Sequence, residues 1–146
     1  MPLISGCDWV IEAVVEKLDV KQKLFEQVES HRRKGSIVSS NTSGIPLSEI
    51  SNGRSEDFKK HFCGTHFFNP PRYLQLLEII PTPETDKDLV RFLVDFGSNH
   101  LGKETIVCKD TPAFIANRIG VFAIMSLVAP GPEVTKTTPT LPDDLA

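Results

Sequence analysis

The sequence predicts an α/β fold, a mostly parallel sheet with helices packed against it. Three observations predict it. Short apolar runs of strand length alternate with longer amphipathic stretches of helix length along most of the chain. Polar turn residues follow an apolar run at Asn41-Thr42-Ser43-Gly44, and open α/β sheets hold their ligands at such strand ends. The composition, 40% hydrophobic and 24% charged over 146 residues, is that of one globular domain with its own core.

Residues 9–15, Trp-Val-Ile-Glu-Ala-Val-Val, read as a buried strand with one acidic interruption at Glu12. Residues 18–31 read as an amphipathic helix: Val20, Leu24 and Val28 recur at four-residue spacing, with Phe25 beside that stripe. Lys34-Gly35 ends it, with the glycine as cap. Residues 36–40 form a second strand and residues 46–50 a short helix opened by Pro46. Residues 62–67 form a third strand, broken by Asn69-Pro70-Pro71. Residues 74–80 form a fourth, closed by Pro81 and Pro83. Residues 86–101 make a second amphipathic helix, with Leu89, Leu93 and Phe96 on one face and Gly102 behind it. Residues 104–108 are the fifth strand. A third helix starts at Pro112, capped by Asp110 or Thr111, and runs to about Val128.

The last 18 residues, 129–146, hold four prolines, four threonines and almost no apolar periodicity, which predicts a disordered tail. The predicted organisation is a partial Rossmann-like domain over residues 1–111, the first helix of a helical domain over 112–128, and the tail.

Bulk properties exclude several functions. The net charge of −3 implies no basic face for nucleic acid. The three cysteines, Cys7, Cys63 and Cys108, form no C-x-x-C pair, so no zinc or redox motif is present, and they read as small buried hydrophobes of a reducing compartment. No apolar stretch approaches the roughly 20 residues of a membrane span. The first residues lack a signal peptide's basic and apolar regions. A cytoplasmic location is the default expectation, with a mitochondrial matrix also open.

Three clusters carry chemistry. Ser39-Ser40-Asn41-Thr42-Ser43 follows a strand, where polar side chains meet a cofactor or substrate; the same residue types also favour plain turns. His66, within Gly64-Thr65-His66-Phe67-Phe68-Asn69-Pro70, ends an apolar strand; imidazole exchanges protons near neutrality, and a core histidine bonded to backbone is the simpler reading. Glu78, within Leu76-Leu77-Glu78-Ile79-Ile80, is costly to bury unless paired. On strict alternation it shares a face with Leu76 and Ile80. His66 on the preceding strand is its natural partner, unless Glu78 lies at a strand edge facing water. His31, His61 and His100 have polar or helix-end surroundings and read as surface residues, and Lys59-Lys60-His61 as a solvated basic turn. No G-x-G-x-x-G occurs, so no glycine loop is available to hold a dinucleotide pyrophosphate.

Taken together, these stretches closely resemble the L-3-hydroxyacyl-CoA dehydrogenase family of fatty-acid β-oxidation. The matching runs are Trp9-Val10-Ile11-Glu12-Ala13-Val14-Val15-Glu16, Ser40-Asn41-Thr42-Ser43, His66-Phe67-Phe68-Asn69-Pro70, Leu77-Glu78-Ile79-Ile80, Lys109-Asp110-Thr111-Pro112 and Phe114-Ile115-Ala116-Asn117-Arg118, in family order, over roughly residues 6–127. Pro70-Pro71-Arg72-Tyr73-Leu74 is most similar to the bacterial long-chain multidomain type. The resemblance implies NAD as cofactor and a 3-hydroxyacyl-CoA as substrate. It implies His66 as general base, Glu78 as its orienting partner, and Ser43 and Asn117 bonding the substrate oxygens. Glu16, Lys21, Ser43 and Asn69 would lie at the nicotinamide end of the cofactor, and no metal is implied.

In that family about two strands and a helix precede the position of Trp9 and carry the glycine fingerprint. A helical domain follows the position of Leu127. Neither is present in this sequence. The chain is therefore expected to be a fragment of the oxidoreductase, inactive alone, with an open sheet edge that invites self-association or a complementing fragment. The alternative is a non-catalytic remnant that acts as a binding or structural relative.

Overall fold

The structure of the protein, a computed structural model, describes residues 2–128; the tail expected over residues 129–146 lies outside the described residues. A 3-10 turn, Pro2–Gly6, leads into β1 (Trp9–Glu12), α1 (Leu18–His31) and β2 (Ile37–Ser40). Two short helices follow, α2 (Leu47–Ile50) and α3 (Glu56–Lys60), then β3 (Phe62–Phe67) and β4 (Leu76–Pro81). The order ends with α4 (Lys87–Asn99), β5 (Glu104–Val107) and α5 (Ala116–Val128).

The sheet order is β1-β2-β3-β4-β5. All neighbours run parallel except β3 and β4, which are antiparallel and register His66 opposite Glu78. The fold class expected from the sequence, a mostly parallel Rossmann-like sheet with flanking helices, is what forms. Strand alternation divides the core in two. Val38, Phe62 and Ile80 face one side with Phe25 and Val28 of α1, Leu47 and Ile50 of α2, and Phe58 of α3. Cys63, Leu77 and Ile79 face the other with Leu89 and Leu93 of α4. The first layer centres on three fully buried rings: Phe25 lies 5.7 Å from Phe58 and 5.3 Å from Phe62, centroid to centroid. Each such ring contributes about 1.5–3 kcal/mol by burial.

The structure moves several expected boundaries. β1 ends at Glu12, not residue 15, because its carboxylate accepts from the Val14 amide and turns the chain. β4 begins at Leu76, after a turn in which the amides of Tyr73 and Leu74 both donate to the Pro70 carbonyl. α1 is capped by Arg32; Gly35 takes its positive φ of 79° in the following turn instead. α3 was not expected; Ser55 caps it by accepting from the Phe58 amide, and Phe58 anchors it in the core. His61 closes that helix half-buried, its ring bonded to the Asp57 carbonyl, so the segment is more than a solvated turn. The third helix starts at Ala116 and not at Pro112. Asp110 does not cap it but accepts from the Leu47 and Ser48 amides at the start of α2, and Ala113 and Phe114 take positive φ.

Cys63 and Cys108 are buried as expected, and burial pushes each thiol up to about 12, with the Glu78 carboxylate adding to the effect at Cys108. Cys7 departs from the expectation and is exposed. No described helix is long and apolar enough to cross a membrane.

α4 crosses the sheet on Gly97, where a Cβ would stand 2.6 Å from the Thr105 methyl and 3.1 Å from Leu77. Alanine is the better helix former by about 1 kcal/mol, yet this crowding dominates. Gly97→Ala is expected to destabilise the domain by about 1–3 kcal/mol. Urea unfolding checks this: the midpoint should fall, and a midpoint at or above that of the parent would refute the packing argument.

Candidate active site

The antiparallel β3–β4 pair sets His66 and Glu78 directly across from each other. His66 Nδ1 and Glu78 Oε2 are 2.7 Å apart, with side-chain exposures of 5% and 0%. The buried carboxylate therefore has the partner its apolar neighbours require. Its other oxygen accepts the backbone amides of Ile115 at 3.1 Å and Ala116 at 2.9 Å, at the start of α5. A carboxylate accepts and does not donate. Nδ1 thus carries a proton, and Nε2 faces away from Glu78.

Nε2 meets Ser43 Oγ at 3.1 Å. The imidazole is held in orientation by two rings, Phe68 at 4.5 Å and Phe114 at 5.6 Å between centroids. The Asn117 side-chain amide donates to the Ser43 carbonyl at 3.2 Å, joining α5 to the loop after β2. Asn41, at the end of β2, accepts from the Phe67 amide at 2.8 Å and ties the ends of β2 and β3 together. Asn41, Ser43, His66, Phe68, Asn69 and Asn117 line a cleft of about 740 Å³, within the range of small-molecule and cofactor sites. A second concavity of about 740 Å³ runs along α5 between Phe114, Phe122 and Met125. It offers no proton-transfer group, so the chemistry belongs to the first.

Lys21 and Glu16 lie behind this cleft. Lys21 is buried on the inner face of α1 in line with Phe25 and Val28, a face the leucine–valine spacing did not anticipate. Its ammonium bonds Glu12 at 2.7 Å, Glu16 at 3.2 Å and the Val14 carbonyl at 3.3 Å. Glu16, 44% exposed, accepts through Oε1 from the Thr42 hydroxyl at 2.5 Å and from the amides of Ser43 at 2.9 Å and Gly44 at 3.1 Å. Burial pushes the Glu16 carboxyl up, but the Thr42, Ser43 and Lys21 contacts together pull it below the ordinary carboxylate value. Four of the expected residues, His66, Glu78, Ser43 and Asn117, are therefore in one hydrogen-bonded cluster. Asn69 borders the cleft without bonding that cluster, and Glu16 and Lys21 reach it through the loop. Glu12 was read from the sequence only as an acidic interruption of a strand, although the signal was the one that revealed Glu78: a carboxylate inside an apolar strand. Among the described residues no group of His, Cys, Asp or Glu is placed to hold a metal.

Comparison with known proteins identifies the family. Residues 2–111 match the family described as 3-hydroxyacyl-CoA dehydrogenase, NAD binding domain. A probable 3-hydroxyacyl-CoA dehydrogenase of Bacillus subtilis is 61% identical over 125 residues, covering 86% of this chain and 16% of the relative. The human mitochondrial hydroxyacyl-coenzyme A dehydrogenase is 40% identical over 126 residues, covering 86% and 39%. The crystal structure of FadB2 from M. tuberculosis superposes with a TM-score of 0.82 at 31% identity, covering 87% of this chain and 44% of that one. The chain thus spans less than half the length of these relatives. With its fold and most of its length in agreement, the chain belongs to the 3-hydroxyacyl-CoA dehydrogenase family, within that family's NAD-binding domain.

Proposed function

We propose that this chain supplies the catalytic part of an enzyme that oxidises L-3-hydroxyacyl-CoA to 3-oxoacyl-CoA with NAD, His66 being the general base. The observation that carries the reading is the line Glu78–His66–Ser43, with Nδ1 bonded to a buried carboxylate and Nε2 turned to a hydroxyl on the cleft wall. Bound NAD would supply the acceptor for the hydride leaving C3 of the substrate. His66 Nε2 takes the proton of the 3-hydroxyl, and general-base catalysis of this kind contributes about 10²- to 10⁴-fold. Glu78 holds the ring and offsets the imidazolium charge that proton transfer creates. Ser43 and Asn117 donate to the substrate oxygens, so that developing alkoxide charge meets fixed dipoles. Phe68 and Phe114 keep bulk water off one side of the ring.

The residues present fit the nicotinamide end of the cofactor. Ser43 and Asn69 give the cleft polar contacts, and Glu16 and Lys21 support the loop beneath. They do not include a glycine loop for the pyrophosphate, which in this fold type supplies much of the dinucleotide affinity. Exposed apolar side chains along α5, Phe122 at 75% and Leu127 at 86% among them, support a covering partner, either a second copy or a complementing polypeptide.

Three outcomes test these readings. The 125 matching residues of the Bacillus subtilis relative can be replaced by those of this chain. The hybrid should reduce NAD with a 3-hydroxyacyl-CoA, and His66→Ala should lower kcat/KM by about 10²- to 10⁴-fold; a folded hybrid indifferent to His66→Ala would refute the assignment of the base. NADH titrated against the 146-residue chain alone, followed by fluorescence, should show no saturable binding in the low micromolar range; saturation there would show that the pyrophosphate loop is dispensable. In sedimentation velocity the same chain should associate as its concentration rises, whereas a monomer throughout would remove the case for self-association.

A further inference from the structure

Glu12 interrupts an apolar strand as Glu78 does, and it is 3% exposed. Its carboxylate gathers three segments: Oε1 accepts from Lys21 Nζ at 2.7 Å and the Val14 amide at 2.6 Å, and Oε2 from Ser40 Oγ at 2.5 Å. Lys21, with 1% of its side chain exposed, is engaged by Glu12, Glu16 and the Val14 carbonyl. Glu16 passes the constraint outward, since one of its oxygens accepts from Thr42, Ser43 and Gly44 together. The loop so held carries the hydroxyl that meets His66 Nε2.

We propose that Glu12 is a positioning residue: through Lys21 and Glu16 it fixes the loop of residues 42–44, and with it the Ser43 hydroxyl at His66. This rests on the reading of His66 as the base. Glu12 touches neither His66 nor Ser43 in the described contacts; its influence travels through the ion pairs, with a side route in the Ser40 hydroxyl, which donates to Glu12 and accepts from the Thr42 amide. Without its charge the Lys21 ammonium is buried with one carboxylate fewer. Lys21 then either moves towards water or draws Glu16 inward, and in both cases the Glu16 oxygen leaves the loop amides. Few other contacts hold that loop: Thr42 bonds the Ile45 amide and the Ser40 hydroxyl, and Asn117 bonds the Ser43 carbonyl. A merely structural role would change how much protein is folded and leave the His66 environment of the folded molecules as it was. A positioning role changes that environment.

Long-range proton–nitrogen NMR of the histidine rings in the 146-residue chain reads the Nε2 hydrogen bond directly. Ser43→Ala marks the signal of His66 with that bond lost. Glu12→Gln should move the Nε2 resonance at least halfway to the Ser43→Ala position while the amide signals of β3 and β4 persist. Glu16→Gln should do the same, and the two together should go no further than either alone, because they act in one line of contacts. If Glu12→Gln does not fold, Glu12→Gln with Lys21→Met removes the orphaned ammonium and should give the same shift. A folded Glu12 variant with the parent's His66 signal, or additive shifts from Glu12 and Glu16, overturns the proposal and leaves the base assignment standing. A Ser43→Ala signal identical to the parent's overturns the proposal together with the role given to Ser43.

Discussion

A carboxylate taken wholly out of water costs several kcal/mol unless both oxygens find donors. At Glu78, with no exposed surface, that requirement shapes the surrounding structure. One oxygen takes the imidazole N–H across the sheet. The other takes the amides of Ile115 and Ala116, residues 37 and 38 positions further along the chain. To deliver those amides the backbone must turn sharply before α5, and it does so through two successive non-glycine residues with positive φ, Ala113 and Phe114. Such conformations cost of order 1–3 kcal/mol each and persist only where neighbours over-determine them. The same turn drives Phe114 into the core and against the imidazole. Ring orientation, the tautomer and the start of α5 thus follow from one buried charge.

Carboxylates elsewhere in the chain repeat the device on a smaller scale. Loops lack the ladder bonds that satisfy strands and helices, so their amides need other acceptors. Glu16 accepts from the loop after β2, Asp110 from the start of α2, Glu29 from Ser55, and Asp57 from Gly35. At Glu16 and Asp57 burial pushes the carboxyl up but these contacts outweigh it, so both lie below their ordinary values of 4.5 and 3.8. A carboxyl depressed on folding contributes stability that is complete above the ordinary value and is lost as pH falls through the depressed one. The loop after β2 and the turn at Gly35 are therefore secured at neutral pH by groups that acid would release.

Where sequence pattern and physics pointed the same way, the elements were legible: α1 and β3 form over the expected spans, 18–31 and 62–67, because periodicity and flanking breakers agree there. The His66–Glu78 pair was legible for a different reason, since a carboxylate among Leu and Ile residues has to be partnered. Glu12 offered the same cue, but its partner is a lysine on a helix, and a lysine inside a helical stripe looks like solvent-facing charge. α3 was hidden because its five residues, Glu-Asp-Phe-Lys-Lys, show one apolar position and no period. The start of α5 was misplaced because Pro112 after an acidic residue is a common helix opening, and only the tertiary pull of Glu78 and α2 on the neighbouring residues shows otherwise. Ser43 stood in a polar run after a strand, a pattern that plain turns share, and Asn117 carried no local signal; their part in the cluster came from resemblance and long-range contact.

The reversal between β3 and β4, in a sheet otherwise parallel, sets unequal tolerances for evolutionary change on either side of it. The connection of residues 68–75 lies mostly at the surface, and length changes confined to it need not disturb the ladder. Within β4 the situation is opposite. Side chains alternate between two filled layers, so a slip of one residue would carry Glu78 to the α4 side and bring Leu77 or Ile79 under the imidazole. A lineage could lengthen or shorten the exposed stretch of residues 72–75 while Phe68 stays against the imidazole and the six residues of β4 stay locked in phase with β3. Insertions and deletions should therefore collect at residues 72–75, past the side chains that line the cleft, and be purged within β4.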